Sequence, residues 1–244
     1  MGVPKTIDND IDYLEKTFGF DTAVSLAQGP IAGAHEEARS YRNGIGIVKL
    51  MGRDSGFIAL HASLASSDVN LVLLPEVPFD LETIVPLIEA RLKSSSGHCL
   101  IVVSEGAGQS VLQAAKKASD AKEKEKDASG NVLYDDIGVF LKNAIGERLK
   151  AKGLPHSIKY IDPSYSIRSA KANPEDAVFA VILAQMAVHA AMAGKTNLLV
   201  GRVNHRFVHI PIRKAIEKRK KVDVAGVTYQ AILDNTGMPM KLCV

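Results

Sequence analysis

The chain has 244 residues, 46% hydrophobic and 23% charged, enough for one large domain or two small ones around a sizeable core. That hydrophobic fraction, with a formal net charge of only +3, excludes a disordered chain. Thirty basic against 27 acidic residues do not make a nucleic-acid protein, and Cys99 and Cys243 alone cannot supply a disulfide framework. The two cysteines read as core or tail residues of a reducing compartment.

The opening Met1-Gly2-Val3-Pro4-Lys5 has no secretory-signal pattern and runs directly into Asp8, Asp10 and Asp12. No strand or helix signal precedes this acidic loop, so the chain is expected to be the C-terminal part of a longer polypeptide. Past residue 40, short apolar runs alternate with helical stretches. Gly46–Met51 reads as a strand followed by a helix over Phe57–Ala65, and Asn70–Pro75 as a strand followed by a helix over Leu81–Lys93. Asp80 is placed to cap that second helix, with Glu82 in its first turn. Cys99–Val103 is a third strand and Val111–Ala121 a third helix. Continuously apolar strands of this kind suit a parallel sheet covered on both faces, so the expected fold class is α/β, doubly wound.

Five lysines and four acids between Lys116 and Asp127 read as a solvated helix end or loop. Asp136–Lys150 has Ile137, Phe140, Leu141, Ile145 and Leu149 on one face and predicts an amphipathic helix. Lys159–Ile161 predicts a short strand entering the Pro163 turn. A long helix follows from Pro174 to Ala193. Its Ala-rich composition, with Gln185 and His189, favours a buried helix ended by Gly194 over a membrane span. Asn197–Gly201 is the last predicted strand, leading to a basic helix that ends in Lys218-Arg219-Lys220-Lys221. There the cations favour the helix dipole, and nucleic acid is not expected to bind them.

Ligands of open α/β sheets bind beyond the carboxyl ends of the strands. The predicted strand ends deliver Arg53, Glu76 and Glu105, and the Pro163 turn delivers Tyr165 and Arg168. Arginine forks suit phosphate, and a carboxylate such as Glu105 suits sugar hydroxyls, so the edge suggests a phosphorylated polyol. Asp8 and Asp10 flank Asn9, and an extended backbone would point both carboxylates the same way. One could take a proton from an attacking hydroxyl while the other orients it or holds a metal. The same spacing also fits a simple Asx turn. The seven histidines show no zinc-site spacing, and no GxSxG or Walker phosphate loop occurs.

Pro4-Lys5-Thr6-Ile7-Asp8-Asn9-Asp10 resembles the PKTIDND signature of the 6-phosphofructokinases. Met51-Gly52-Arg53 resembles their MGR motif, and Ser104-Glu105-Gly106 the segment carrying their sugar-contacting glutamate. Ile161 to Arg168 is similar to the segment that closes on the 6-phosphate, and all four motifs stand in family order. Pro4-Lys5 and Pro163-Ser164-Tyr165 resemble the branch of plant and trypanosomatid ATP enzymes and pyrophosphate-dependent relatives. The resemblance implies phosphoryl transfer to the 1-hydroxyl of fructose 6-phosphate, with Asp8 as general base. Thr6, Ile7 and Asp10 would help to position the sugar, Met51, Gly52 and Arg53 would line its pocket, and Glu105 would accept from its hydroxyls. Tyr165 and Arg168 would hold the 6-phosphate.

Lys5 is the donor-specificity position that the resemblance marks, and it occurs with either ATP or pyrophosphate. The family's GGDG or GGDD element, which approaches the donor phosphates and Mg²⁺, is absent, so Mg²⁺ ligands are expected mainly upstream. The resemblance places residues 1–19 and 168–211 in an incomplete donor-side domain, and residues 20–167 and 212–244 in the sugar-side domain. It implies a cytoplasmic homo-oligomer, with plastid and glycosome as alternatives, that does not act on membranes. Arginines borrowed from a neighbouring subunit are also expected, Arg42 being one candidate. The isolated chain is expected to be impaired as a kinase and to expose a sheet edge that promotes association. A pyrophosphate-dependent enzyme and a non-catalytic sugar-phosphate-binding subunit are the alternative readings.

Overall fold

The computed structural model describes residues 1–117 and 135–243. Most of the charged run expected between Lys116 and Asp127, with the end of the helix predicted over Val111–Ala121, lies outside them.

In chain order the elements are α1 (Phe20–Arg39), β1 (Gly44–Leu50), α2 (Phe57–Ser66), β2 (Leu71–Leu73), α3 (Leu81–Lys93), β3 (His98–Ser104) and α4 (Gln109–Lys117). They continue as α5 (Ile137–Ala151), β4 (Ser157–Ile161), α6 (Ser164–Arg168), α7 (Pro174–Met192), β5 (Leu198–Val203), β6 (Arg206–Pro211), α8 (Ile212–Ala215) and α9 (Val227–Thr236). The main sheet is four-stranded in the order β2-β3-β1-β4, and each pairing in it is parallel. All seven residues of β3 and six of the seven in β1 are buried, as the unbroken apolar runs required. Leu50 pairs with Ser104, and Val48 with Ile161. Strands β1, β3 and β4 therefore end at one common edge of the sheet.

Helix α1 was not legible in the sequence because Gly29, Pro30 and Gly33 interrupt its helical pattern. It forms because Phe20, Ala23, Ala27, Ile31, Ala34 and Ala38 recur on one buried face. Its small side chains let it lie close on β1. A Cβ on Gly44 would sit 2.0 Å from the Ala38 carbonyl oxygen, so only glycine permits that approach. Helix α3 matches its predicted span, and Asp80 caps it by accepting from the Thr83 amide at 2.7 Å.

A smaller unit stands beside this core. Strands β5 and β6 form an antiparallel hairpin, and Leu198 and Val200 pack on Phe179 and Leu183 of α7. Gly2 bridges to Leu199 in parallel, its amide donating to the Leu198 carbonyl at 2.8 Å. The buried carboxylate of Asp176 joins the two units: it accepts from the Gly19 amide at 2.8 Å and from the Thr22 amide at 2.7 Å, closing the N-terminus of α1.

Two sequence expectations are corrected here. Helix α7 ends before Gly194 as expected, but it is not buried: Val178, Val181, Val188 and Met192 are exposed. The reason is geometric, since a two-stranded hairpin can cover only one side of a helix that is apolar all round. Among the described residues, α7 is also the helix long and apolar enough to cross a membrane. The basic helix does not reach Lys218–Lys221: α8 stops at Ala215, and the cations lie on the extended segment beyond it. Lys218, Arg219 and Lys220 are held there by acidic, amide and carbonyl partners of the N-terminal segment rather than by a helix dipole.

Candidate active site

The loop of residues 6–10 is folded by its own short polar side chains. The Asp8 amide donates to Thr6 Oγ1 at 3.2 Å, Thr17 Oγ1 donates to the Thr6 carbonyl at 2.6 Å, and Asn9 Oδ1 accepts from the Thr17 amide at 3.1 Å. Asn9 sits at φ 55°, which breaks the extended run that would have set the two carboxylates in one direction. The outcome is a division of labour. Asp10 is buried and ion-paired to Arg219, whereas Asp8 keeps a buried Oδ1 with no hydrogen-bond partner among the described residues.

Burial pushes the Asp8 carboxyl up to about 6; Asp10 and Glu105 add to the rise, and Arg168 and Arg219 oppose it. Those four neighbours come from the acidic loop, the end of β3, α6 and the segment after α8. The site is thus assembled from parts of the chain about 200 positions apart.

The sheet edge supplies its opposite wall. The Glu105 amide donates to the Leu50 carbonyl at 2.8 Å, the Gly106 amide to the Gly52 carbonyl at 3.0 Å, and Ser104 Oγ to the same carbonyl at 2.7 Å. A Cβ on Gly106 would lie 1.6 Å from the Arg53 carbonyl oxygen, so this interlock of two loops requires glycine there. It brings Arg53 Nε to 3.3 Å from Glu105 Oε1, while Arg168 Nη2 approaches Glu105 Oε2 at 3.8 Å. Arg168 is 53% exposed and Tyr165 85%, so both side chains are open to solvent at this edge.

The predicted residues therefore separate into groups. Asp8, Asp10, Arg53, Glu105 and Arg168 converge, with Thr6 buttressing the loop. Met51 is fully buried, so its side chain belongs to the core and only its backbone borders the edge. Ile7 packs partly into the core, and Lys5 and Arg42 are exposed. Glu76 faces elsewhere: its carboxylate accepts from the Gly56 amide at 3.0 Å and the Val222 amide at 2.9 Å, tying α2 to the C-terminal segment.

Sequence reading missed Arg219 and Lys220. Arg219 pairs with Asp10 and with Asp54 at 3.4 Å. Lys220 Nζ donates to Asn9 Oδ1 at 3.2 Å and to the carbonyls of Leu14 at 2.8 Å and Glu15 at 3.2 Å. Burial depresses the Lys220 ammonium to about 8. A cation run was visible in the sequence, but its N-terminal partners, Asn9, Asp10, Leu14 and Glu15, lie more than 200 positions away.

Residues 1–191 match the family described as Phosphofructokinase. Over 250 residues the chain is 47% identical to the ATP-dependent 6-phosphofructokinase of Borreliella burgdorferi, covering 99% of this chain and 54% of that protein. It is 48% identical to ATP-dependent 6-phosphofructokinase 1 of Arabidopsis thaliana, covering 98% of this chain and 50% of the relative. The pyrophosphate-dependent phosphofructokinase of Marinobacter aquaeolei has a similar structure, with TM-score 0.71 at 23% identity over 97% of this chain and 58% of that one. The chain thus spans about half the length of the curated relatives it matches. With its four motifs brought to one sheet edge and most of its length matched, the chain belongs to the phosphofructokinase family.

Proposed function

We propose that the chain carries the sugar-phosphate site of an ATP-dependent 6-phosphofructokinase, which moves the γ-phosphoryl group of ATP to the 1-hydroxyl of fructose 6-phosphate. The observation that carries this reading is the buried Oδ1 of Asp8, without a hydrogen-bond partner among the described residues, on a carboxyl pushed up to about 6 and facing the Arg53–Glu105–Arg168 cluster. An acceptor without a donor is costly in the free chain and suits a substrate hydroxyl that will fill it. A carboxyl near 6 is ionised at neutral pH and still basic enough to take a proton.

In this reading Arg168 and Tyr165 grip the 6-phosphate, and Glu105 accepts from the sugar hydroxyls while keeping Arg53 and Arg168 oriented. Binding energy at the phosphate end then aligns the 1-hydroxyl beside Asp8. As the hydroxyl oxygen bonds to the γ-phosphorus, the bond to the β–γ bridging oxygen breaks and ADP leaves. The hydroxyl proton passes to Asp8 Oδ1 and from there to water.

The names of the relatives favour ATP as donor. The structural neighbours named for pyrophosphate are too distant in sequence to speak for more than the fold. The described residues do not form a Mg²⁺ site: Asp10 is committed to Arg219, and no group of three or more metal-binding side chains occurs among them. The chemistry assigned to this chain is that of its own side chains.

We also place residues 1–19 and 168–211 with a donor-side unit, and 20–167 and 212–244 with the sugar-side unit. The separate packing of α7 on β5 and the exposed stripe of α7 support this division. A cytoplasmic homo-oligomer fits the same reading. The test is to follow fructose 1,6-bisphosphate formation by the chain and by a protein extended to the relatives' length, with ATP and pyrophosphate in parallel. ATP-dependent turnover by the extended protein, lost in Asp8→Asn, supports the reading. Turnover with pyrophosphate alone, or turnover untouched by Asp8→Asn, contradicts it.

A further inference from the structure

Lys49 is a charged residue inside a buried strand. Its side chain is 12% exposed, and β1 is otherwise buried throughout. Its Nζ lies 2.7 Å from Asp136 Oδ2 and 2.8 Å from Asp162 Oδ2, so one ammonium serves two carboxylates. Each carboxylate has a second task. Asp136 caps α5, accepting from the Gly138 amide at 2.9 Å and the Val139 amide at 3.1 Å, and accepts from the Tyr160 hydroxyl at 2.8 Å. Asp162 accepts from the Ser164 amide at 3.0 Å and from the Ser164 hydroxyl, and so fastens the first turn of α6.

Helix α6 is otherwise held by the buried Pro163 before it, by packing of Ile167 into the core and by the Arg168–Glu105 ion pair. It has five residues, and only Ile167 among them is buried. Yet it presents Tyr165 and Arg168, the two groups proposed above for the 6-phosphate. We infer that Lys49 is the positioning residue of the phosphate end of the site, setting α6 against the end of β1 through Asp162. The inference rests on the sugar-phosphate reading for its functional consequence, and on the Lys49–Asp162–Ser164 chain for its geometry.

Without the ammonium, Asp136 and Asp162 are two like charges sharing one place. The cheapest relief is to move the one on the shorter, less buried element, which is Asp162 with α6. A buried strand lysine would otherwise be replaced at little cost by an apolar side chain of similar length.

The test combines hydrogen exchange with calorimetric titration of fructose 6-phosphate on the full chain. Four variants are compared: Lys49→Met, Asp162→Asn, Arg168→Ala and the double variant Lys49→Met/Arg168→Ala. Lys49→Met should accelerate exchange over residues 164–169, leave β3 protected, and weaken fructose 6-phosphate roughly tenfold. Added to Arg168→Ala, it should cost little more, because the group it positions is already gone. Asp162→Asn reaches α6 without touching the buried strand, and should reproduce the exchange pattern even where Lys49→Met folds poorly.

Unchanged exchange over 164–169 in both single variants overturns the positioning role, whatever the sugar does. Losses in affinity that add fully in the double variant overturn it as well. Accelerated exchange in a chain whose parent form binds no fructose 6-phosphate leaves the clamp standing, overturns the sugar-phosphate reading, and removes the functional role with it.

Discussion

Arg219 closes an ion pair with the buried carboxylate of Asp10, 209 positions upstream. The C-terminal segment thereby becomes part of the acidic loop's scaffold, and the loop's two acids are left in different states. Arg219→Ala should strand a buried charge. Because Arg219 itself is largely exposed, the expected loss is about 1–3 kcal/mol rather than the larger value of a fully buried pair. Urea unfolding at neutral pH measures it. The same variant should raise the Asp8 carboxyl further, because Arg219 is one of the two cations that hold it down.

Asp8 makes a signed prediction with pH. Its folded value, about 6, lies above its ordinary 3.8, so the folded state binds the extra proton between those values. The stability it contributes is complete below about pH 4 and is lost as pH rises through 6. Two units correspond to roughly 3 kcal/mol. Asp8→Asn should therefore stabilise the chain by up to about that amount at pH 7.5 and hardly at all at pH 4. In an active full-length protein, turnover should fall as pH drops below about 6, and Asp8→Asn should lower kcat far more than it raises KM.

Lys220 has the opposite sign. Its folded value, about 8, lies below the ordinary 10.5 of lysine, so the unfolded state binds more protons between them. Wild-type stability should rise relative to Lys220→Met as pH climbs from 8 towards 10. Denaturant titrations of both proteins at three pH values read the difference directly. A flat difference across that window would contradict the burial-driven depression.

The exposed stripe of Val178, Val181, Val188 and Met192 predicts self-association of the chain. Val181→Lys/Val188→Lys should shift it to smaller species in light scattering while moving the unfolding midpoint little. Association that persists undiminished would move the sticky surface elsewhere, for example to the open edge at β4.

What could be read from the sequence follows from which information is local. Strands β1, β2 and β3 announce themselves as unbroken apolar runs, and Asp80 as a cap, whereas the cap at Asp136 emerged only from the structure. The strand ends already held Arg53 and Glu105, and the Pro163 turn Arg168, but also Glu76, which the structure uses to tie α2 to the C-terminal segment. Helix α1 did not announce itself, because its face is made of alanines and its middle of Gly29, Pro30 and Gly33, and its stability comes from the sheet beneath it. Strand β6 was hidden for another reason. Its hairpin turns at Asn204-His205, both at positive φ, without the glycine that usually marks such a turn. The separation of Asp8 from Asp10 depended on φ at Asn9 and on an arginine 209 positions away, neither of which spacing encodes.

The measurement that bears most directly on the central claim is calorimetric titration of the chain with fructose 6-phosphate, beside Arg168→Ala and Asp8→Asn. The site described here predicts saturable binding that Arg168→Ala weakens by roughly a hundredfold and that Asp8→Asn leaves within a few-fold of the parent, since Asp8 is assigned to the proton and not to the phosphate. Binding that is indifferent to Arg168→Ala, or no binding by a chain shown to be folded, would contradict it.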